Sequence, residues 1–96
     1  MPVYVDNARN AFGRMVMSHL IGDTEPELHA MAERIGLKRA WFQKATTSAK
    51  TPHYDLCQEK RLAAIREGAI EIDRRQTVAL IRKLRAQRGI QQGDQK

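Results

Sequence analysis

The fold of this 96-residue chain is decided by residues 15–36, which have the sequence MVMSHLIGDTEPELHAMAERIG. The first part of this stretch predicts a strand, because its apolar and polar side chains fit the alternation of a strand between two faces. One face would carry Met15, Met17, His19 and Ile21, and the other Val16, Ser18 and Leu20. The second part predicts a helix, so the stretch already contains both kinds of element.

The predicted helix begins at Thr24, which forms a capping box with Glu27. Apolar residues then recur at positions 28, 31, 32 and 35, the spacing of one buried helix face. Gly36 is expected to end the helix in the left-handed conformation that glycine adopts without strain. A capped amphipathic helix that directly follows a strand indicates helix packing against a sheet.

The remaining elements follow from similar patterns. Residues 3–5 predict a short strand, residues 7–14 a loop, and residues 45–52 a mobile loop. Asp55 is expected to cap a second helix ending at Gly68, residues 69–72 to form a third strand, and Asp73 to cap a third helix ending at Gly89. The predicted fold class is α/β (α+β), a small three-stranded sheet covered by about three helices. It forms a single domain over residues 1–89, followed by a disordered polar tail at residues 90–96.

Positive charge is concentrated at the C-terminal end. Residues 1–36 carry three Arg against five Asp or Glu, whereas residues 74–96 carry a net charge of +6, equal to that of the whole chain. The third helix would present Arg75, Arg82, Lys83 and Arg85, which we nominate as nucleic-acid-binding residues because cations that neutralise phosphates release counterions. An ordinary solvated helix face has the same composition, and a basic helix docked on an acidic protein is a further alternative.

Cysteine usage and hydropathy narrow the classes of protein. Cys57 is the single cysteine, which excludes an intramolecular disulfide and a multi-cysteine zinc module. No apolar run approaches the roughly 20 residues that a membrane-spanning helix needs, and the N-terminus lacks the pattern of a signal peptide. We therefore expect a cytoplasmic protein with no membrane partner, and the sequence leaves its oligomeric state open.

Histidine and aspartate positions suggest a divalent-metal site. His53 and Asp55 are two residues apart, so both point to the same side of an extended segment, and His19 with Asp23 would meet them if the strands are neighbours. Imidazole and carboxylate ligands suit zinc or manganese, and a metal-bound water can attack a phosphoester. The predicted ligands are His19, His53 and Asp55, with Asp6 or Asp23 as base or additional ligand.

Each of these residues also has a purely structural interpretation. Asp55 and Asp23 fit helix starts, and Asp6 fits a turn after a strand. His19 fits a hydrogen-bonded core histidine, and His29 lies at the boundary of a buried helix face. The sequence keeps both interpretations open.

Two further features favour a structural role. Cys57 lies at the start of a predicted helix, where a small packing residue is more common than a nucleophile. Trp41 and Phe42 are interpreted as core anchors in preference to a base-stacking platform, because large aromatic residues in a small domain are usually needed inside.

Six short motifs occur in order between residue 3 and about residue 84. They are Val3-Tyr4-Val5-Asp6, Ser18-His19-Leu20-Ile21-Gly22-Asp23, Glu27-Leu28-His29-Ala30-Met31-Ala32, Trp41-Phe42-Gln43, His53-Tyr54-Asp55-Leu56 and Gly68-Ala69. The set resembles the small bacterial and phage proteins grouped as domain-of-unknown-function family 4031. This resemblance implies no activity, substrate or cofactor. It draws attention to polar positions within the motifs, namely Asp6, His19, Asp23, His29, His53 and Asp55.

Three functions remain open from the sequence. The leading one is a small accessory protein that binds a nucleic acid or another phosphate-bearing ligand. Its main alternative is a metal-dependent phosphoester hydrolase built on the His and Asp residues, and the second alternative is a protein-interaction module or inhibitor that docks through the basic C-terminal helix.

Overall fold

The computed structural model describes residues 2–44 and 51–93. The strands of this part of the chain are β1 (Val3–Val5), β2 (Asn10–Phe12), β3 (Met15–Gly22), β4 (Tyr54–Leu56) and β5 (Ile70–Glu71). Its helices are α1 (Glu25–Arg34), α2 (Gln58–Arg66) and α3 (Arg74–Gly93), and a short 3-10 helix, Arg39–Trp41, follows α1. The α+β fold class predicted from the sequence is confirmed.

The long strand β3 organises a mixed sheet. Leu20, in its C-terminal half, pairs with Val5 of β1 on one side and with Tyr54 of β4 on the other. β2 pairs with the N-terminal half of β3, and β5 lies parallel to β1. The described part of the chain therefore contains five strands rather than the three that were predicted. The two additional strands are β2 and β4, and their local sequence features had predicted a loop and a helix cap instead.

The two faces of the sheet are covered by different helices. One cluster of buried residues joins Val5 and Leu20 to the apolar sides of α1 and α2. The other joins Ile21 and Ile72 to Leu80 and Leu84 of α3. Since neighbouring strand residues face opposite ways, Leu20 and Ile21 belong to different layers. His19 therefore lies on the same side of the sheet as Ile21, the side that is covered by α3.

The predicted helix boundaries around α1 are confirmed. The Thr24 hydroxyl oxygen accepts a hydrogen bond from the Glu27 backbone N–H and donates one to the Glu27 carboxylate. At the other end Gly36 has a φ of +83°, and the Leu37 N–H donates to the carbonyl oxygen of Ala32 at 2.8 Å. This is the Schellman arrangement, and it ends α1 where glycine meets no steric penalty.

The predicted start of α3 is confirmed as well. The Asp73 carboxylate accepts a hydrogen bond from the Gln76 N–H at 2.8 Å, and the Gln76 side chain accepts one from the Asp73 N–H at 2.9 Å. Both exchanges satisfy N–H groups that have no partner within the helix. They fix the direction in which α3 leaves β5.

Two predicted boundaries are wrong. Asp55 does not cap α2, because it lies within β4, and the residue at the N-cap of α2 is Cys57, whose side chain makes no capping hydrogen bond. α3 does not end at Gly89 and continues to Gly93. A single glycine inside a helix costs only about 1 kcal/mol relative to alanine, so it does not necessarily end one.

The aromatic pair divides between interior and surface. Phe42 packs against the buried cluster beneath α1 and α2, as predicted, whereas 50% of Trp41 is exposed. Trp41 lies in the 3-10 helix with its ring 5.5 Å from the Lys38 Nζ atom. The prediction of a core role is therefore wrong for Trp41.

Parts of two further predictions lie outside the described residues. These are positions 45–50 of the predicted mobile loop and positions 94–96 of the predicted tail, whereas residues 90–93 belong to α3. No helix in the described ranges combines the length and apolar character needed to cross a bilayer.

Candidate metal centre

Strand alternation brings polar residues from separate segments to the α3 side of the sheet. Asp6 directly follows β1, and His19 lies in β3 opposite Asp55 of β4. His53 precedes β4 and forms an isolated antiparallel bridge with Gln43. Because residues 53 and 55 are two apart in extended chain, both face the same way, as the sequence predicts.

His19, His53 and Asp55 form a compact cluster. The Asp55 Oδ1 atom is 3.5 Å from His53 Nε2 and 3.8 Å from His19 Nε2, and the two imidazole rings meet edge to face with centroids 5.2 Å apart. One potential ligand atom from each residue lies within 4.8 Å of the others. Ligand atoms about 2.0–2.2 Å from a zinc ion lie within roughly 4 Å of each other, so a small inward movement gives coordinating geometry.

Asp6 holds His19 from behind this cluster. Its Oδ2 atom accepts from His19 Nδ1 at 2.7 Å and its Oδ1 atom accepts from the His19 backbone N–H at 2.8 Å. Only 3% of Asp6 is exposed, so solvent does not compete for these bonds. A carboxylate can only accept, so Nδ1 keeps its hydrogen and the lone pair of the neutral ring lies on Nε2, the atom that faces Asp55.

The other two members of the cluster are held in a similar way. His53 Nδ1 is 2.9 Å from the Thr51 carbonyl oxygen, which again leaves Nε2 directed at Asp55. The Gln43 side-chain amide donates to Asp55 Oδ2 at 2.6 Å, while Oδ1 faces the two histidines. Metal-binding histidines typically donate their other ring N–H to a carboxylate or a carbonyl oxygen, and these partners match that pattern.

Hydrogen bonding sets the charge states of Asp6 and His19. Burial raises the pKa of Asp6. The hydrogen bonds that Asp6 accepts from the His19 ring and backbone act in the opposite direction and prevail, so the pKa of Asp6 lies below its usual value. The hydrogen bond to Asp6 raises the pKa of His19, against the opposing effect of burial. Asp6 is therefore an ionised acceptor at neutral pH.

Arg61 ties this arrangement to the rest of the fold. Its Nε atom donates to the Asp6 carbonyl oxygen at 2.9 Å, and its Nη2 atom is 3.4 Å from the Glu71 carboxylate. Sequence reasoning did not identify Arg61 or Gln43. Gln43 belongs to one of the ordered motifs, whereas Arg61 carries no signal in the sequence beyond a position in a predicted helix.

A cleft of about 750 Å³ opens between the cluster and the first turns of α3. It is lined on the sheet side by Asp6, His19, Ile21 and His53, and on the α3 side by Arg74, Thr77, Val78 and Ile81; Asn7, Ala8, Arg9, Asn10 and Thr51 complete the wall. Arg9 and Arg74 are exposed, and neither forms an ion pair among the described residues. The cleft therefore combines potential metal ligands with two cations.

The remaining predicted site residues lie elsewhere. Asp23 lines a separate depression near the start of α1, and its charge, second to burial, raises the pKa of Tyr4. His29 lies 2.8 Å from the Tyr54 hydroxyl, and burial lowers its pKa, which fits a structural role. Cys57 is half-buried and is not one of the cluster residues.

The residues nominated for nucleic-acid binding share one property. All are exposed on α3, and within the described ranges none of them forms an ion pair with a carboxylate; they are Arg75, Arg82, Lys83 and Arg85.

These observations define an α+β domain in which a buried aspartate supports a histidine–histidine–aspartate cluster beside a basic cleft. The chain belongs to the family described as "Protein of unknown function (DUF4031)", whose model matches residues 3–84. No curated protein and no solved structure shows a significant match to it. The matched range includes every residue of the cluster and its supporting partners.

Proposed function

We propose that the protein is a metal-dependent hydrolase that acts on a phosphoester. The observation that carries this proposal is the convergence of His19 Nε2 from β3 with His53 Nε2 and Asp55 Oδ1 from the β4 segment, each residue held by a partner on its far side. Two imidazoles and one carboxylate suit zinc or manganese. Three protein ligands are the usual number in catalytic zinc sites, where the fourth position accepts water.

The residues around the cluster have separate roles in this proposal. Bound metal would supply an activated water whose pKa falls to about 7. Arg74 lines the cleft, where its guanidinium group can balance the charge of a substrate phosphate. Asp6 orients His19 and does not itself touch substrate. Asp23, in a separate depression, has no role in this scheme.

Hydrolysis of p-nitrophenyl phosphate and bis(p-nitrophenyl) phosphate tests the proposal. Activity should require added zinc or manganese, disappear with a chelator, and fall by at least about 100-fold in Asp55→Asn, because loss of a ligand should exceed the 10- to 100-fold effect of losing an outer partner. Asp73→Asn is the matched control, since asparagine preserves the helix cap outside the cleft. Activity that survives the chelator, or an Asp55→Asn variant as active as Asp73→Asn, would refute it.

A second candidate function is binding of a nucleic acid through α3. It is favoured by four exposed cations that form no ion pair with any described residue, namely Arg75, Arg82, Lys83 and Arg85. Replacing Arg82 and Arg85 by alanine should weaken binding of an oligonucleotide and flatten its dependence on salt, because each lost phosphate contact lowers the logarithmic salt slope by about 0.7–0.9. Fluorescence anisotropy at several salt concentrations measures both quantities.

The matched control is the double change Arg34→Ala and Arg66→Ala, which removes the same charge from α1 and α2. Equal slopes for the two double variants would show that α3 is not the contact surface. Binding of an acidic protein that persists at high salt would favour the protein-interaction alternative.

A cytoplasmic location remains part of the proposal, supported by the single cysteine of the sequence.

A further inference from the structure

The cleft beside the cluster has an excess of positive charge. Asp6 is the only acid among the described residues that line it, and that carboxylate is already engaged by His19. Arg9 and Arg74 face the same space without an acidic partner in the described ranges. An anion bound there would gain charge-assisted hydrogen bonds from arginine, whose planar group suits phosphate oxygens.

Helix geometry places Arg74 at the edge of an apolar strip. Residues 78 and 81 follow residue 74 by four and seven positions, so all three residues lie on one side of α3. Val78 and Ile81 line the cleft together with Ile21 from the sheet, and 45% of Val78 is exposed. Arg75, the next residue, is exposed but does not line the cleft.

Inorganic phosphate would use only part of this cleft. A volume of about 750 Å³ lies within the roughly 300–1,000 Å³ typical of sites for small organic ligands. The aliphatic strip offers an apolar surface, and the side chains of Asn7 and Asn10 offer both donors and acceptors in the same cleft. A planar ring with a polar edge, attached to a phosphate, matches these features together.

We propose that the cleft binds a nucleoside phosphate, with Arg74 on the phosphate and Val78 and Ile81 against the base. The inference rests on the proposed function in placing the phosphate beside the metal cluster, and it names the substrate class of that site. The phosphate belongs either to a free nucleotide or to the end of a nucleic-acid strand, which present the same chemistry.

Calorimetric titration of the whole protein with adenosine 5′-monophosphate and with ribose 5-phosphate tests this inference. The nucleotide should bind about tenfold more tightly than the sugar phosphate. Arg74→Gln should weaken binding of the nucleotide about tenfold, which corresponds to about 1.4 kcal/mol. Arg66→Gln, at an exposed position of α2 that does not line the cleft, should leave binding unchanged. Val78→Ser should reduce binding of the nucleotide but not of the sugar phosphate, and Ala79→Ser, on the exposed side of α3, should change neither.

Equal affinity for the two ligands, or equal effects of Arg74→Gln and Arg66→Gln, would overturn the inference. A 5′-phosphorylated oligoadenylate separates the sources: tighter binding than the monophosphate identifies a strand end, and equal or weaker binding identifies the free nucleotide. All titrations are made in excess chelator, and zinc binding is titrated separately without nucleotide. Nucleotide binding without zinc uptake would refute only the hydrolase, and zinc uptake without nucleotide binding would refute only the present inference.

Discussion

Replacement of His53 by alanine is expected to abolish binding of zinc or manganese while the fold persists. The His53 Nε2 atom lies 3.5 Å from Asp55 Oδ1. Without the His53 imidazole, only His19 and Asp55 remain as ligands, and two ligands are too few to retain the ion in competition with water. We expect the affinity for zinc to fall by more than about 100-fold, because loss of an outer partner alone costs 10- to 100-fold. Loss of the single hydrogen bond to the Thr51 carbonyl oxygen should cost only about 1 kcal/mol of stability. Competition with a zinc-binding dye measures the affinity, and urea unfolding measures the stability.

His29→Gln is the matched control for this change. His29 is also partly buried and its ring is hydrogen-bonded to the Tyr54 hydroxyl, but it lies outside the cluster. The control should bind zinc like the unchanged protein. A His53→Ala protein that retains full zinc affinity would remove His53 from the set of ligands.

Replacement of Asp6 by asparagine is expected to weaken zinc binding by about 10- to 100-fold without removing any ligand. The asparagine carbonyl oxygen can still accept from the His19 backbone N–H, so its amide group must face His19 Nδ1. An amide donates, which makes Nδ1 the acceptor and moves the ring hydrogen to Nε2. His19 would then present an N–H to the metal in place of a lone pair. The ring tautomer can be followed by the nitrogen chemical shifts of His19 in NMR spectra.

Asp23→Asn is the control for Asp6→Asn, since both aspartates belong to the ordered motifs but only Asp6 contacts His19. The control should leave both zinc affinity and the His19 spectrum unchanged. If Asp6→Asn moves the hydrogen to Nε2 and zinc affinity stays the same, His19 is not a ligand through that atom.

Local patterns were sufficient for both ends of α1, for the start of α3 and for the orientation of β3. The capping pairs Thr24–Glu27 and Asp73–Gln76 and the glycine at position 36 act within a few residues, so their effect is visible in the sequence. Alternation along residues 15–21 correctly separated His19 and Ile21 from Leu20. These are short-range effects, and tertiary packing did not override them.

Prediction from the sequence was least accurate where pairing with a distant strand decides the conformation. Asp55 has the local features of a helix cap, but backbone pairing with His19 holds it in β4 instead. A partner that lies far along the chain cannot be identified from a three-residue pattern.

The candidate site contains residues that were predicted from the sequence and residues that were not. The residue types indicated that His19, His53 and Asp55 could be metal ligands. The strand order that brings their ligand atoms within 4.8 Å of each other could not be predicted from local sequence patterns. Gln43 and Arg61 were missed because their contribution depends on contacts across 12 and 55 positions of the chain. Asp23 was nominated by its neighbours in sequence and lies in a different depression.

The central claim is that the two histidines and Asp55 coordinate one divalent ion, and X-ray absorption at the zinc edge of the protein loaded with one equivalent of zinc tests it most directly. The account predicts scattering from two imidazole rings, with Zn–N distances of about 2.0–2.1 Å, and only nitrogen and oxygen ligands. A spectrum without imidazole scattering, or one dominated by sulfur, would contradict the account, as would a failure to take up one equivalent of zinc.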